Sequence, residues 1–70
     1  MKEETYFVIE VKDGVYLKKD KTGNYRLTED LKQAVRFEYP KNGYINHTPK
    51  QIAKEWFGTL KTLIISWEVQ

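Results

Sequence analysis

Apolar and polar residues alternate in the first part of the chain, from Thr5 to Lys12. Because successive side chains of a β-strand point to opposite faces of the sheet, this period of two predicts a strand. The apolar face of the strand is predicted to hold Phe7, Ile9 and Val11. The opposite face, which we call the outer face, is predicted to hold Tyr6, Val8, Glu10 and Lys12.

Asp13 and Gly14 mark the first turn, and two turn geometries give different strand registers. A tight type I′ turn at Asp13-Gly14 would place Val11 opposite Tyr16. A type I turn followed by Gly14 as a left-handed bulge would place Val11 opposite Val15. The second register gathers Phe7, Ile9, Val11, Val15 and Leu17 on one face, with Ile9 opposite Leu17. A slip of one residue would scatter these side chains, so we predict the bulged hairpin.

A third strand and a short helix are predicted to follow this hairpin. Asp20 to Gly23 is a turn sequence, and Asn24 to Leu27 then completes a three-stranded meander. Thr28 is a suitable helix N-cap, with Glu29 and Asp30 in the first turn, where the helix dipole favours carboxylates. The apolar face of this two-turn helix is predicted to hold Leu31, Ala34 and Val35.

The main helix is predicted to begin at Thr48 and Pro49, an N-cap followed by proline at the first helical position. Before it, a short strand over 36–39 ends at Pro40, and 44–46 is either a return strand or an ordered loop. The helix is predicted to end at Gly58. Its apolar stripe is formed by Ile52, Ala53, Trp56, Phe57 and Leu60.

The last segment alternates again and is predicted to be a long strand. Its core-facing positions are Leu63, Ile65, Trp67 and Val69, and Ile64 and Ser66 face outward. We therefore predict one α+β domain over 1–70, with 1–4 frayed. It is a small antiparallel sheet of about four to five strands with one main and one short helix packed on one face. The predicted core is Phe7, Ile9, Val11, Val15, Leu17, Leu27, Leu31, Ala34, Phe37, Ile52, Trp56, Phe57, Leu60, Leu63, Ile65 and Trp67.

The composition narrows the chemistry that the chain can carry. The 70 residues include no cysteine, which excludes disulfides, a thiol nucleophile and cysteine-ligated zinc, and is consistent with a cytoplasmic protein. The net charge is +2, from 12 basic and 10 acidic residues, and this balance is weak for a protein that binds polyanions. No segment resembles a membrane span or a signal peptide, so no membrane partner is expected.

Candidate catalytic residues are few. His47 is the only histidine, and no acidic residue lies near it in the sequence. Ser66 is the only serine, and it lies in the middle of a predicted strand without a nucleophile-elbow pattern. Because catalysis needs a constellation of groups, we predict no catalytic residue, no cofactor site and no metal site, and therefore no enzymatic activity.

The outer face of the sheet is the best candidate for a functional surface, because aromatic and arginine side chains favour protein interfaces. The predicted protein-binding residues are Tyr6, Val8, Tyr16, Lys18, Arg26 and Ile64. The partner is expected to be a protein of unknown identity or a second copy of the chain. The alternative is a nucleic-acid-binding surface that stacks bases on tyrosines and contacts phosphates through Lys18, Lys19, Arg26, Lys50 and Lys54.

Two motifs in the first half resemble a group of known proteins. Asp13 to Lys18 reads as a "DG-x-YL" hairpin, and Thr28 to Phe37 reads as "T-x-DL-x-x-A-x-x-F". In this order they resemble small phage- and prophage-encoded proteins of Gram-positive bacteria, over residues 5–37. The resemblance implies an accessory protein that binds and modulates a host or phage protein. The "DG-x-Y" strand pair is also similar to the arm-binding domains of phage-type integrases, which are much more basic.

Overall fold

The computed structural model describes the backbone of residues 2–39 and 47–67, and the side chains of these residues except His47 and Trp67. It contains five β-strands, one α-helix and one turn of 3-10 helix. The elements are β1 (Lys2–Lys12), β2 (Val15–Lys19), β3 (Tyr25–Thr28), the 3-10 turn (Leu31–Gln33), β4 (Phe37–Glu38), α1 (His47–Glu55) and β5 (Thr59–Trp67). An antiparallel α+β architecture is therefore confirmed, with five strands in one sheet.

The sheet is built around β1, which pairs with three other strands, all antiparallel. β5 occupies one edge of β1 from Lys2 to Glu10. β2 pairs near the C-terminal end of β1, and β4 pairs with Tyr6 and Phe7. Because a strand has only two edges, β2 and β4 share the edge opposite β5, with β3 outside β2. Residues 2–4, which were predicted to be frayed, pair with β5 within this ladder.

The first hairpin has the predicted register but a different closing pair. Glu10 lies opposite Tyr16, and continuing this antiparallel pairing by one residue brings Ile9 opposite Leu17. Gly14 has a φ of 74°, whereas Asp13 has no positive φ, which excludes the type I′ turn. Next to the turn, however, Val15 is paired with Lys12 and not with Val11. The irregularity lies in β1 between Glu10 and Lys12.

The short helix is a single 3-10 turn and not the predicted two-turn α-helix. Its N-cap is Asp30, whose carboxylate accepts a hydrogen bond from the Lys32 amide at 3.0 Å. Thr28 instead ends β3, and its hydroxyl accepts a hydrogen bond from the Asp30 amide. The helix stops because the chain is extended at Ala34 and the next amide, that of Val35, donates to the Leu17 carbonyl of β2 at 2.9 Å.

The hydrophobic core lies between α1 and the inner face of the sheet, the face that carries Ile9 and Leu17. Both residues are fully buried and pack with Ile52 and Ala53 of α1. The partly buried side chains packed against this cluster are Val11, Tyr25, Val35, Phe37, Trp56 and Leu60. Leu27 was predicted in the core, but 47% of it is exposed because β3 is the outermost strand on its side of the sheet.

The face that β5 presents to the core is opposite to the predicted one. Residues directly opposite each other in an antiparallel pair share a face. Leu60 lies opposite Ile9 and so faces the core, whereas Leu63 lies opposite Tyr6, on the outer face. Side chains alternate along the strand, so Ile65 also belongs to the outer face, and Ile64, opposite Thr5, belongs to the inner one. The placement of Leu63 and Ile65 in the core was therefore wrong.

The end of α1 also differs from the prediction. The Gly58 amide donates to the Ala53 carbonyl and the Phe57 amide to the Lys54 carbonyl, the bond pattern of a Schellman cap. In this pattern Phe57 is the left-handed residue, with a φ of 54°, and it is 93% exposed instead of buried in the core. A Cβ on Gly58 would lie 2.8 Å from Cγ2 of Ile9, so glycine is needed here for close packing on β1.

α1 begins at His47, one residue before the predicted N-cap Thr48, and Pro49 lies in its first turn, where a missing amide hydrogen costs no helical bond. Other sequence predictions concern parts of the chain outside the described residues. These are the choice between strand and loop over 44–46, the position of Val69, and the burial of the Trp67 side chain.

Candidate protein-binding surface

The outer face of the sheet lies on the side opposite α1, because α1 packs on Ile9 and Leu17 of the inner face. Five of the six predicted binding residues share the outer face: Tyr6, Val8, Tyr16, Lys18 and Arg26. The structure adds Leu63 and Ile65 of β5, which were predicted in the core. Tyr6, Tyr16, Leu63 and Ile65 are half-buried. This face is therefore more apolar than the sequence indicated.

Val8 lies on the outer face but is almost completely buried. It is only 2% exposed, so a partner could touch little of this predicted contact residue. On β1 it lies between Tyr6 and Glu10, and it lies opposite Lys61 of β5. The Lys61 ammonium is 3.9 Å from the Glu10 carboxylate, so this ion pair joins two side chains that neighbour Val8.

Tyr6 is held in place from two sides. Its hydroxyl donates a hydrogen bond to the Glu4 carboxylate, and the Arg36 guanidinium lies over its ring at 5.6 Å from the centroid. The bond to Glu4, which the phenolate could not donate, is the main cause that raises the pKa of Tyr6 above its usual value. The Arg36 stacking is worth about 0.5–1 kcal/mol at an exposed site. Tyr6 is therefore a neutral, oriented aromatic at physiological pH.

The β2–β3 end of the face is polar. Arg26 lies opposite Lys18, and its Nε is 3.2 Å from the Asp20 carboxylate in the turn between the two strands. Hydrogen bonds from the Thr22 hydroxyl, and then from the amide of Asn24 and from Arg26, lower the pKa of Asp20 from 3.8 to about 2. The turn thus holds a fixed negative charge that keeps the Arg26 side chain at the rim of the face.

Ile64 does not belong to this surface. It lies on the inner face, yet 58% of it is exposed. Its predicted neighbours Tyr6 and Tyr16 point to the other side of the sheet. The predicted placement of Ile64 was wrong because Leu63, Ile64 and Ile65 are all apolar. Alternation of apolar and polar residues therefore does not indicate which of the three face the core. The pairing of Leu60 with Ile9 decides which residues of β5 face the core. Such a long-range contact has no local sequence signal.

The alternative nucleic-acid surface is divided between the two sides of the sheet. Lys18 and Arg26 lie on the outer face. Lys19 lies on the inner side, with its ammonium 5.7 Å from the ring centroid of Tyr25, which packs against the core. The other two residues of the predicted nucleic-acid surface, Lys50 and Lys54, are on α1. Together with Gln51 and Glu55 they line an open depression of about 590 Å³. The five basic residues therefore do not form one continuous stripe.

Within residues 2–39 and 47–67, no group of three or more His, Cys, Asp or Glu residues is placed to hold a metal ion. The helices in this part of the chain are too short and too polar to cross a bilayer. Comparison with protein-family models, with curated proteins and with solved structures gives no match to this chain.

Proposed function

We propose that the protein is a binding module without catalytic activity, which engages a protein partner through the outer face of its sheet. The observation that carries the proposal is the set of half-buried apolar side chains on the side opposite α1: Tyr6, Tyr16, Leu63 and Ile65. Leu63 lies directly opposite Tyr6, and Ile65 is the next outer-face residue of β5. Clustered apolar side chains on a surface mark interaction sites in soluble proteins. Two of these residues are tyrosines, which are enriched in interfaces.

The composition of the rim supports a protein partner over a polyanion. Around the apolar centre lie both signs of charge, with Lys18 and Arg26 at one end and Glu10 and Glu4 along β1. A polyanion would be repelled by the carboxylates, whereas a protein surface can match charges of both signs. The partner we propose therefore has an apolar centre with a mixed polar rim.

The resemblance to phage and prophage proteins supports a specific biological role for this binding. On this view the chain is a cytoplasmic accessory protein of a mobile element that binds and modulates a host or phage protein. Occupying the partner's surface is itself the activity, and no cofactor is required.

The test compares two substitutions to glutamate in the same hairpin. Tyr16 is on the outer face, and Leu27, which is 47% exposed, lies on the inner face. Immobilised wild type, Tyr16→Glu and Leu27→Glu are incubated with lysate of the source cells, and the retained proteins are identified by mass spectrometry. We expect one protein to be retained by wild type and by Leu27→Glu but lost with Tyr16→Glu. Retention of the same proteins by all three chains would refute the proposal. Circular dichroism and urea unfolding of each variant verify the fold.

A further inference from the structure

β5 is the edge strand on one side of the sheet. One of its edges pairs with β1 along nine residues, from Thr59 to Trp67, and no strand in the described ranges occupies the other edge. Its sequence, TLKTLIISW, contains one charged residue, no proline and no glycine. Soluble proteins usually protect a long edge with charges, proline or a bulge, because its free backbone groups are a template for another strand.

The single charge of β5 does not protect the edge. The Lys61 ammonium lies 3.9 Å from the Glu10 carboxylate, so the side chain is directed to its own sheet. The ladder between β1 and β5 also runs in one continuous register, in contrast to the interrupted ladder between β1 and β2. β5 is thus a regular strand whose second edge has no partner among residues 2–39 and 47–67.

The centre of this edge strand carries an exposed apolar side chain. Ile64 is 58% exposed on the inner face, whereas Ile52 of α1, on the same side of the sheet, is only 9% exposed. The core packing of α1 involves Leu60, at the beginning of β5, and does not include Ile64. In the described part of the chain, a strand edge without a partner and an exposed isoleucine therefore occur at the same place.

We propose that β5 pairs antiparallel with β5 of a second copy, about a two-fold axis that passes through Ile64. A two-fold axis perpendicular to the sheet leaves inner-face side chains on the inner face and outer-face side chains on the outer face. Residues paired across the axis are therefore an even number of positions apart in the sequence, because side chains alternate between the faces. The axis then passes between the two copies of a single residue. Two Ile64 side chains then meet on the inner face and cover each other.

The axis at Ile64 matches residue types on both faces. On the inner face it places Thr62 opposite Ser66, a pair of hydroxyl side chains, and on the outer face it places Leu63 opposite Ile65. An axis at Leu63 would instead oppose Thr62 to Ile64, and an axis at Ile65 would oppose Ile64 to Ser66. Of these three axes, only the one at Ile64 pairs polar with polar and apolar with apolar residues at the positions one and two residues from the axis.

This pairing joins two five-stranded sheets into one continuous sheet, with both copies of α1 on one side and both outer faces on the other. The two apolar outer faces become adjacent across the Leu63–Ile65 pairs. The inference goes beyond the proposed function, because Tyr16 and the hairpin surface take no part in the pairing.

Cysteine cross-linking tests the axis directly, since the chain has no cysteine of its own. Opposed residues in an antiparallel pair have Cα atoms about 4.5–5.5 Å apart, within the range that a disulfide spans. Ile64→Cys is therefore expected to form a disulfide-linked dimer rapidly under mild oxidation. The control is Thr59→Cys on the same strand. Its two copies would lie about 34 Å apart, ten residues at the strand rise, so no fast cross-link is expected. Equal cross-linking rates would overturn the proposal.

A charge swap provides a second readout that needs no oxidation. Light scattering of wild type is expected to give twice the monomer mass of 8.4 kDa. Ile64→Lys and Ile64→Glu should each be monomeric, because like charges would meet at the axis, and an equimolar mixture should recover the dimer. Wild type that stays monomeric up to millimolar concentration overturns the proposal, as does a mixture that stays monomeric. Loss of partner capture by Tyr16→Glu with an intact dimer separates this result from the proposed function.

Discussion

Phe57 provides a sharp test of how α1 is joined to β5. It is 93% exposed and is the left-handed residue of the helix cap, with a φ of 54°. A left-handed conformation costs an L-residue about 1–2 kcal/mol, and glycine avoids this cost. Glycine also loses about 0.5–1 kcal/mol more backbone entropy on folding. Phe57→Gly should therefore raise the free energy of unfolding by about 0.5–1 kcal/mol.

The matched control is Phe57→Ala, which removes the same ring but keeps the left-handed cost. Because the ring is exposed, this variant should stay within about 0.5 kcal/mol of wild type. Urea unfolding followed by tryptophan fluorescence measures both, and with a slope of about 1 kcal/mol/M the Phe57→Gly midpoint should rise by about 0.5–1 M. If Phe57 were buried in the core, as the helix stripe predicts, removal of the ring would cost about 3–5 kcal/mol. A loss of that size in either variant would refute the cap geometry.

The remaining predictions concern the β2–β3 hairpin. The folded pKa of Asp20 is lowered from 3.8 to about 2, so the stability that its ionised form contributes is present above pH 3.8 and is lost as the pH falls through about 2. Asp20→Asn should lower stability at neutral pH, and its urea midpoint should change less than that of wild type between pH 3.8 and about 2. A pH profile identical to that of wild type would contradict the hydrogen bonds to the Asp20 carboxylate. Leu17 and Leu27 are directly opposite each other, but Leu17 is fully buried and Leu27 is 47% exposed. Leu17→Ala should cost about 2–5 kcal/mol and Leu27→Ala less than half of that, and equal losses would contradict the burial difference.

The parts of the fold that local pattern determines could be predicted from the sequence. The register that brings Ile9 opposite Leu17 follows from the alternation in β1 and β2, although the bulge lies in β1 between Glu10 and Lys12 and not at Gly14 as predicted. The main helix follows from the spacing of Ile52, Ala53 and Trp56, all of which contribute to the core. Each of these signals lies within one or two adjacent elements, where periodicity and turn chemistry act directly.

The errors arose where a distant contact decides between local alternatives. The helix was predicted to end at Gly58. Glycine is required there by its close approach to Ile9, and the left-handed residue of the cap is Phe57, which was predicted in the core. The predicted short helix ends early because Val35 bonds to Leu17 of β2. Neither contact has a signature in the neighbouring residues.

The candidate surface was predicted in its β1–β3 part and missed in its β5 part. Tyr6 and Tyr16 were placed on the outer face by alternation, and the structure keeps them there. Leu63 and Ile65 joined them only through the register of β5 against β1. In an apolar strand, either set of alternate residues can face the core, so the sequence of β5 alone does not identify the outer face.

The most direct test of the central claim is methyl-detected NMR of the chain, titrated with the partner that the capture experiment identifies. If the partner binds the outer face, the methyl resonances of Leu63 and Ile65 will shift on binding, whereas those of Leu27 and Ile52 on the inner side will stay in place. Shifts of Leu27 and Ile52 without shifts of Leu63 and Ile65 would contradict the account, because the partner would then lie on the helical side of the sheet.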